Sequence, residues 1–271
     1  MGTSLDQIVD ATRRRVSETR QSANLPALER AAALHQPREF RHALEKRAEN
    51  GLAVIAELKK ASPSRGVIRE DFDPSQLALE LANSGAAALS VLTDQEFFQG
   101  SLDNLRLASK TTSLPCLRKD FIVDEFQLLE SRANCADAIL LIVATLSHEE
   151  LVGFALKAAD FGLDVLCEVH NEDELKQALD AGCTLIGVNN RDLRSFKVDL
   201  QTAFRLAEKL PPHVLAVAES GIHSGYDLAR LQAVGYKAFL IGESLMKEDS
   251  PGQALERLLA EAGMPVASRG E

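Results

Sequence analysis

From about residue 52 onward the chain alternates two kinds of segment. Short apolar, β-branched runs cover 52–57, 87–92, 115–119, 137–143, 163–168, 184–189, 214–218 and 238–241. Each has the length and continuous hydrophobicity of a strand buried on both faces, as in a parallel sheet. Between them, apolar residues recur at helical spacing over 74–84, 101–110, 124–134, 147–161, 171–181, 199–209 and 223–234, with 251–262 last. These stretches predict helices, and their ends are marked. Asp73-Pro74 sets a start, Ser147 with Glu150 predicts a capping box, and Asn171 with Glu174 predicts another. Gly85, Gly162, Gly182 and Gly235 stand where a left-handed C′ residue closes a helix.

Eight strand–helix pairs in succession predict an α/β chain folded as a (β/α)8 TIM barrel. The alternative, an open doubly wound sheet, usually carries a Gly-rich dinucleotide loop after its first strand. Here that loop reads Lys-Lys-Ala-Ser-Pro-Ser-Arg-Gly, without Gly-x-Gly-x-x-Gly. Residues 1–50 lie outside the rhythm and 51–265 form the expected barrel domain. Leu5, Ile8, Val9 and Thr12 carry helical spacing, and further helical stretches surround Pro26 and Pro37. The segment reads either as a helical extension packed on the barrel or as one that also covers the top of a pocket.

The strand ends carry the chemistry. Five apolar runs stop at a polar or charged group: Glu57 with Lys59 behind it, Lys119, Glu168, Asn189 and Glu219. In a closed parallel barrel the C-terminal strand ends share one face, where active sites are built. Unpaired buried charge is strongly unfavourable, so the set reads as a lysine–glutamate network, either self-satisfied or catalytic. Lysines and glutamates whose environments separate their pKa values can serve as general acid and base. The loops after strands seven and eight read Glu219-Ser220-Gly221-Ile222 and Ile241-Gly242-Glu243-Ser244. Gly221 and Gly242 permit close backbone approach to an anion, and Lys59 and Ser62 could close a phosphate site from the first loop.

Composition narrows the field. The 271 residues are 45% hydrophobic and 26% charged with a net charge of −10, which fits a globular protein and not a nucleic-acid binder. The cysteines Cys116, Cys135, Cys167 and Cys183 form no Cys-x-x-Cys pair, and the histidines form no His-x-x-x-His. Reduced thiols and no metal site are expected. No apolar signal region or membrane-length run is present, so the expected location is the cytoplasm. No apolar patch on an outer helix stands out, and a monomer is expected.

Taken in order, Glu57-Leu-Lys59-Lys-Ala-Ser62-Pro63-Ser64, Leu117-Arg-Lys119-Asp120-Phe121, Glu168-Val, Asn189-Asn190-Arg191-Asp192-Leu193, Glu219-Ser220-Gly221-Ile222 and Ile241-Gly242-Glu243-Ser244 resemble indole-3-glycerol-phosphate synthase. The pattern runs from about residue 50 to 247, and the helical extension agrees. The resemblance implies ring closure, decarboxylation and dehydration of 1-(2-carboxyphenylamino)-1-deoxyribulose 5-phosphate, with no cofactor and a small phosphorylated molecule as the partner. It implies Lys119 as general acid, Glu168 as base and Lys59 either as an anchor for the substrate carboxylate or phosphate or as a second acid, with both divisions of the proton transfers open. Glu57 and Glu219 would orient the lysines and substrate hydroxyls, with Asn189 and Arg191 as further polar contacts. Ser220, Gly221, Gly242 and the backbone of Glu243 would hold phosphate, since the Glu243 carboxylate would repel it. Phe97, Phe98 and Phe121 would wall the aromatic ring, and Ser62-Pro63 matches a mobile first loop. Some members are fused to a neighbouring isomerase; this chain ends soon after the eighth helix, so a monofunctional enzyme is expected. Two rivals stand beside this reading. A phosphoribosylanthranilate isomerase would want a Cys or Asp acid–base pair at strand ends, and a non-catalytic phosphate-binding barrel would not need the Lys119–Glu168 pair.

Overall fold

The computed structural model describes residues 5–263; Met1–Ser4 and residues from Met264 on, including the expected domain end at 265, lie outside the described residues. Eight parallel strands close into a barrel: β1 Ala53–Leu58, β2 Ala88–Leu92, β3 Cys116–Lys119, β4 Ala138–Ile142, β5 Asp164–Val169, β6 Leu185–Asn189, β7 Leu215–Glu219 and β8 Ala238–Ile241. Each pairs with the next in sequence, and β8 returns to β1 in the register Val54 to Phe239 and Ala56 to Ile241.

Period-two alternation divides the strand residues between two apolar layers. Ala53, Ile55, Leu117, Leu140, Leu166, Leu185, Val217 and Leu240 fill the interior. Val54, Ala56, Leu89, Ile139, Cys167, Ile186 and Phe239 face outward against the helices. The helices follow the sequence pattern within two residues at each end. The four helix-ending glycines have φ of +94°, +64°, +78° and +106° at Gly85, Gly162, Gly182 and Gly235. The Ser147–Glu150 capping box is present.

The second expected box is not formed as read. Asn171 accepts from the Glu174 N–H, but the Glu174 carboxylate accepts from the backbone N–H of His170 and not from that of Asn171. Ser224 and Asp227 form a capping box instead, with Asp in place of the longer acid. The period was also blind to three short pieces: a hairpin pairing Ala61–Ser62 with Gly66–Val67, and one-turn helices Gln95–Phe98 and Glu243–Met246.

The N-terminal helices are α1 Leu5–Ser22, α2 Leu25–Leu34 and α3 Phe40–Ala48. Pro26 lies in the first turn of α2, where its missing N–H has no helical partner to lose. Pro37 precedes α3 in the connecting loop. The three helices attach at different places. Phe40 and Leu44 of α3 are fully buried against Ala53, Ala88, Ala138, Leu185 and Ala238, which open their strands, so α3 plugs the lower mouth. Helix α1 lies over the upper mouth, where Leu5 and Ile8 face the cavity. The α1 side chain Arg15 pairs with Asp94 at 2.8 Å and with Asp120 at 3.7 Å, tying the helix to the loops after β2 and β3.

Candidate active site

Interior positions at the C-terminal ends of β1, β3, β5, β6 and β7 deliver Glu57, Lys119, Glu168, Asn189 and Glu219 to one cavity of about 490 Å³. Every residue singled out from the sequence lines it except Phe97. Phe97 instead packs beside the interior apolar layer, with its N–H bonded to Asp94. Successive residues on a helix point about 100° apart, so a single turn cannot aim both phenylalanines at one cavity. Phe98 faces the cavity and lies 6.5 Å, centroid to centroid, from Phe121 at 40°. Together they make one aromatic wall.

Lys119 sits between two carboxylates. Its Nζ is 2.7 Å from Glu168 Oε2 and 3.2 Å from Glu219 Oε2. Burial alone would favour a neutral amine, but Glu168, Glu219 and Glu57 outweigh it and keep the ammonium protonated far above the ordinary lysine range. One cation cannot serve two buried acids equally. Burial opposes ionisation of Glu168, yet Lys119 and His170 overcome it and hold the carboxyl well below its usual range. For Glu219 burial dominates, reinforced by the charges of Glu168 and Glu57 against the pull of Lys119, and its carboxyl is pushed up to about 8. The site therefore sets an ionised carboxylate and a protonated carboxyl on either side of one ammonium, the separation that acid–base catalysis requires.

Room for these groups is made by missing side chains. A β-carbon at Gly187 would overlap Glu219 Oε1, and one at Gly242 would overlap Glu57 Oε1. Glu57 pairs with Lys59 at 2.5 Å across the rim. Asn189 accepts from the Arg191 N–H at 3.0 Å. The adjacent Asn190 turns away from the cavity and staples β7, donating to the carbonyls of Glu219 and Ser220.

The far end of the cavity suits an anion. Ser220 and Gly221 both take left-handed backbone, with φ of +65° and +79°. For Ser220 that is an uncommon state, of the kind that clusters at ligand clamps. Ser244 Oγ donates to the Ile222 carbonyl at 2.9 Å and joins the two glycine-bearing loops. The Glu243 carboxylate is drawn off by two guanidinium groups, Arg65 at 3.2 Å and Arg191 at 3.2 Å. That leaves the start of the one-turn helix Glu243–Met246 facing the cavity. Ser62 Oγ, on the first loop, is buried without a hydrogen-bond partner among the described residues.

The structure adds residues that sequence reasoning missed. Arg65 follows Ser64 in the hairpin loop, and a cation beside an expected phosphate loop was the available signal. Asp94 and Asp120 tie the roof helix to the barrel. His170 stands two residues beyond Glu168, on the same face by strand alternation. Its Nε2 lies 3.4 Å from Glu168 Oε1, and its Nδ1 lies 2.9 Å from Glu174 Oε2. Among the described residues no three His, Cys, Asp or Glu side chains gather as a metal site, and no helix is long and apolar enough to cross a membrane.

Comparison with known proteins gives the family. The family model of indole-3-glycerol phosphate synthase matches residues 5–258. An indole-3-glycerol phosphate synthase of Koribacter versatilis is 56% identical over 259 residues, covering 96% of this chain and all of the relative. One from Burkholderia ambifaria is 47% identical, covering 95% of this chain and 99% of the relative. Among solved structures, KGPDC from Streptococcus mutans superposes with a TM-score of 0.60 at 12% identity, over 78% of this chain and 97% of that one, a likeness of fold alone. The chain belongs to the indole-3-glycerol phosphate synthase family.

Proposed function

We propose that this cavity closes the indole ring, converting 1-(2-carboxyphenylamino)-1-deoxyribulose 5-phosphate to indole-3-glycerol phosphate. The observation that carries the reading is the Lys119 ammonium held between Glu168 and Glu219 inside a cavity whose far end suits phosphate. The carboxyl-bearing ring carbon attacks the ribulose carbonyl. As that C–C bond forms, the carbonyl π electrons move to oxygen, and Lys119 supplies the proton that makes it a hydroxyl. The ring–carboxylate bond then breaks; CO2 leaves, and its bonding electrons restore the aromatic ring. In the last step Glu168, held ionised, takes a proton from the former C1′ carbon, while the hydroxyl departs as water with a proton from a lysine. Lys59 anchors a substrate anion from the rim. Glu57, Asn189 and Glu219 fix the lysines and substrate hydroxyls, and Phe98 and Phe121 flank the aromatic ring.

The phosphate sits against the loops at Ser220-Gly221 and Gly242-Glu243, with Arg191 beside it. The Glu243 side chain, occupied by Arg65 and Arg191, is turned to cations and need not face the phosphate. Holding substrate at both ends places the reacting carbons together, which is where most of the advantage of orientation arises. The reading is tested by following indole fluorescence from the carboxyphenylamino substrate with a chelator present. Product is expected at an unchanged rate; no product would reject the function, and loss with chelator would reject cofactor-free chemistry.

A further inference from the structure

Glu168 uses only one oxygen to hold Lys119. Its other oxygen, Oε1, has no hydrogen-bond partner among the described residues, and neither has His170 Nε2, which faces it at 3.4 Å. Both atoms are buried, and two unsatisfied buried polar atoms set opposite each other are costly unless they serve each other or a ligand. The imidazole is not free to swing. Glu174 Oε2 accepts from the His170 backbone N–H at 2.8 Å and lies 2.9 Å from Nδ1, and Asn171 donates to the second oxygen of Glu174. The Glu174 carboxylate accepts from Nδ1–H and fixes the ring plane, and only the doubly protonated ring also turns an Nε2–H toward Glu168.

We propose that His170 is a positioning residue for Glu168: locked by Glu174, its imidazole directs the carboxylate oxygen that Lys119 does not reach. The inference rests on the proposed role of Glu168 as base. The line runs Glu174, His170, Glu168, Lys119, Glu219, alternating in kind along its length. It explains why the expected Asn171 capping box is incomplete: the acid that would close it is committed to the histidine. The charged groups around the ring are Glu168 on β5 and Glu174 on the following helix, with Asp192 in the loop after β6 acting at longer range. Burial disfavours the imidazolium, but the two glutamates outweigh it and raise His170 to about 10. The ring is thus favoured as a cation beside the base below about pH 10.

The test is the pH–rate profile of His170→Asn and Glu174→Gln beside Glu168→Gln. In His170→Asn, kcat is expected to fall roughly tenfold at its plateau, less than the roughly hundredfold that a 1 Å misplacement can cost. Its KM should stay within about twofold, and the acidic limb of kcat should move up by about one pH unit, since a neighbouring cation no longer favours the ionised carboxylate. Glu174→Gln keeps an acceptor for the ring and should move the limb the same way by less; if His170→Asn fails to fold, this variant decides. A folded variant with the wild-type plateau and limb overturns the inference. So does a lower kcat with the limb unmoved, which is what loosened packing alone produces. If Glu168→Gln itself turns over normally, the assigned base is wrong; if it is inactive while His170→Asn is unaffected, only the role of His170 falls.

Discussion

The two mouths of the barrel bury the same kinds of charge and treat them differently. At the lower mouth Asp137, fully buried at the start of β4, is satisfied on both oxygens. Arg38 donates to it from the backbone N–H at 2.7 Å, from Nε at 3.0 Å and from Nη2 at 2.6 Å; the Cys116 N–H donates at 2.7 Å, and His35 lies at 3.0 Å. At the upper mouth Glu168 and Glu219 are as deeply buried, yet each leaves one oxygen without a hydrogen bond among the described residues. Acid, cation and burial are shared. What separates a clamp from a reactive centre is whether the valences are filled. A filled set holds elements together, while an unfilled set leaves capacity for a substrate.

The sharpest way to break this comparison is to remove one group from each mouth. Lys119→Ala or Glu168→Gln should lower kcat by roughly 10²–10⁴-fold, the usual worth of a positioned acid or base. Their thermal midpoints should stay near that of the parent, and a paired loss of stability would mean the upper charges serve the fold. Asp137→Ala should do the reverse. Removing one partner of a buried, hydrogen-bonded pair costs about 3–5 kcal/mol, read by denaturant unfolding, while kcat per folded molecule stays within about twofold of the parent.

A smaller effect is expected from Gly187→Ala. The new methyl overlaps Glu219 Oε1, and overpacking of this kind costs about 1–3 kcal/mol. Displacing Glu219 frees Lys119 from one of its partners, so kcat should drop with KM little changed in steady-state assays. An unaffected kcat would remove Glu219 from the orienting set.

The smallest effect is a difference in pH window. Burial opposes the Asp137 charge, but its bonds from His35 and Arg38 prevail, and its pKa lies below the ordinary 3.8. Its contribution to stability is therefore complete above about pH 4 and is lost as pH falls toward the folded value. His170 has the opposite sign. Raised from 6.5 to about 10, it contributes fully below its unfolded value and loses that contribution as pH rises through about 10. Unfolding free energies measured across acid and alkaline ranges should show Asp137→Ala flattening the acid side and His170→Asn the alkaline side.

Much of this is legible in the amino-acid sequence. Strand positions follow from continuous apolar runs between polar loops and helix positions from the period of 3.6, signals that need more than a few residues or a single turn to show. The hairpin at 61–67 and the turns Gln95–Phe98 and Glu243–Met246 fall below that length. The charged strand ends were visible because a lysine or glutamate closing an apolar run is expensive to bury. His170 was less visible, because it sits past the strand where alternation is not usually counted. Phe97 and Phe98 could not be told apart, since adjacent aromatic residues carry the same signal and only the phase of a one-turn helix separates them. The lower clamp was illegible for another reason: Arg38 and Asp137 are about a hundred residues apart and neither stands in a motif.

The seam between β8 and β1 has a consequence for assembly. It joins residues near 55 to residues near 240, the most distant strand pairing in the chain, so it carries the heaviest loop-closure entropy and is expected to form late. Until it forms, two bare strand edges are available for pairing with other chains. The same seam places Glu57 against Gly242, across from the groups that the central strands hold. A barrel open along this line can assemble Lys119, Glu168, Asn189 and Glu219 and still lack the rim that receives the anion. Recovery of turnover during refolding should therefore lag the recovery of secondary structure, and the enzyme's own product becomes the reporter of ring closure in the protein.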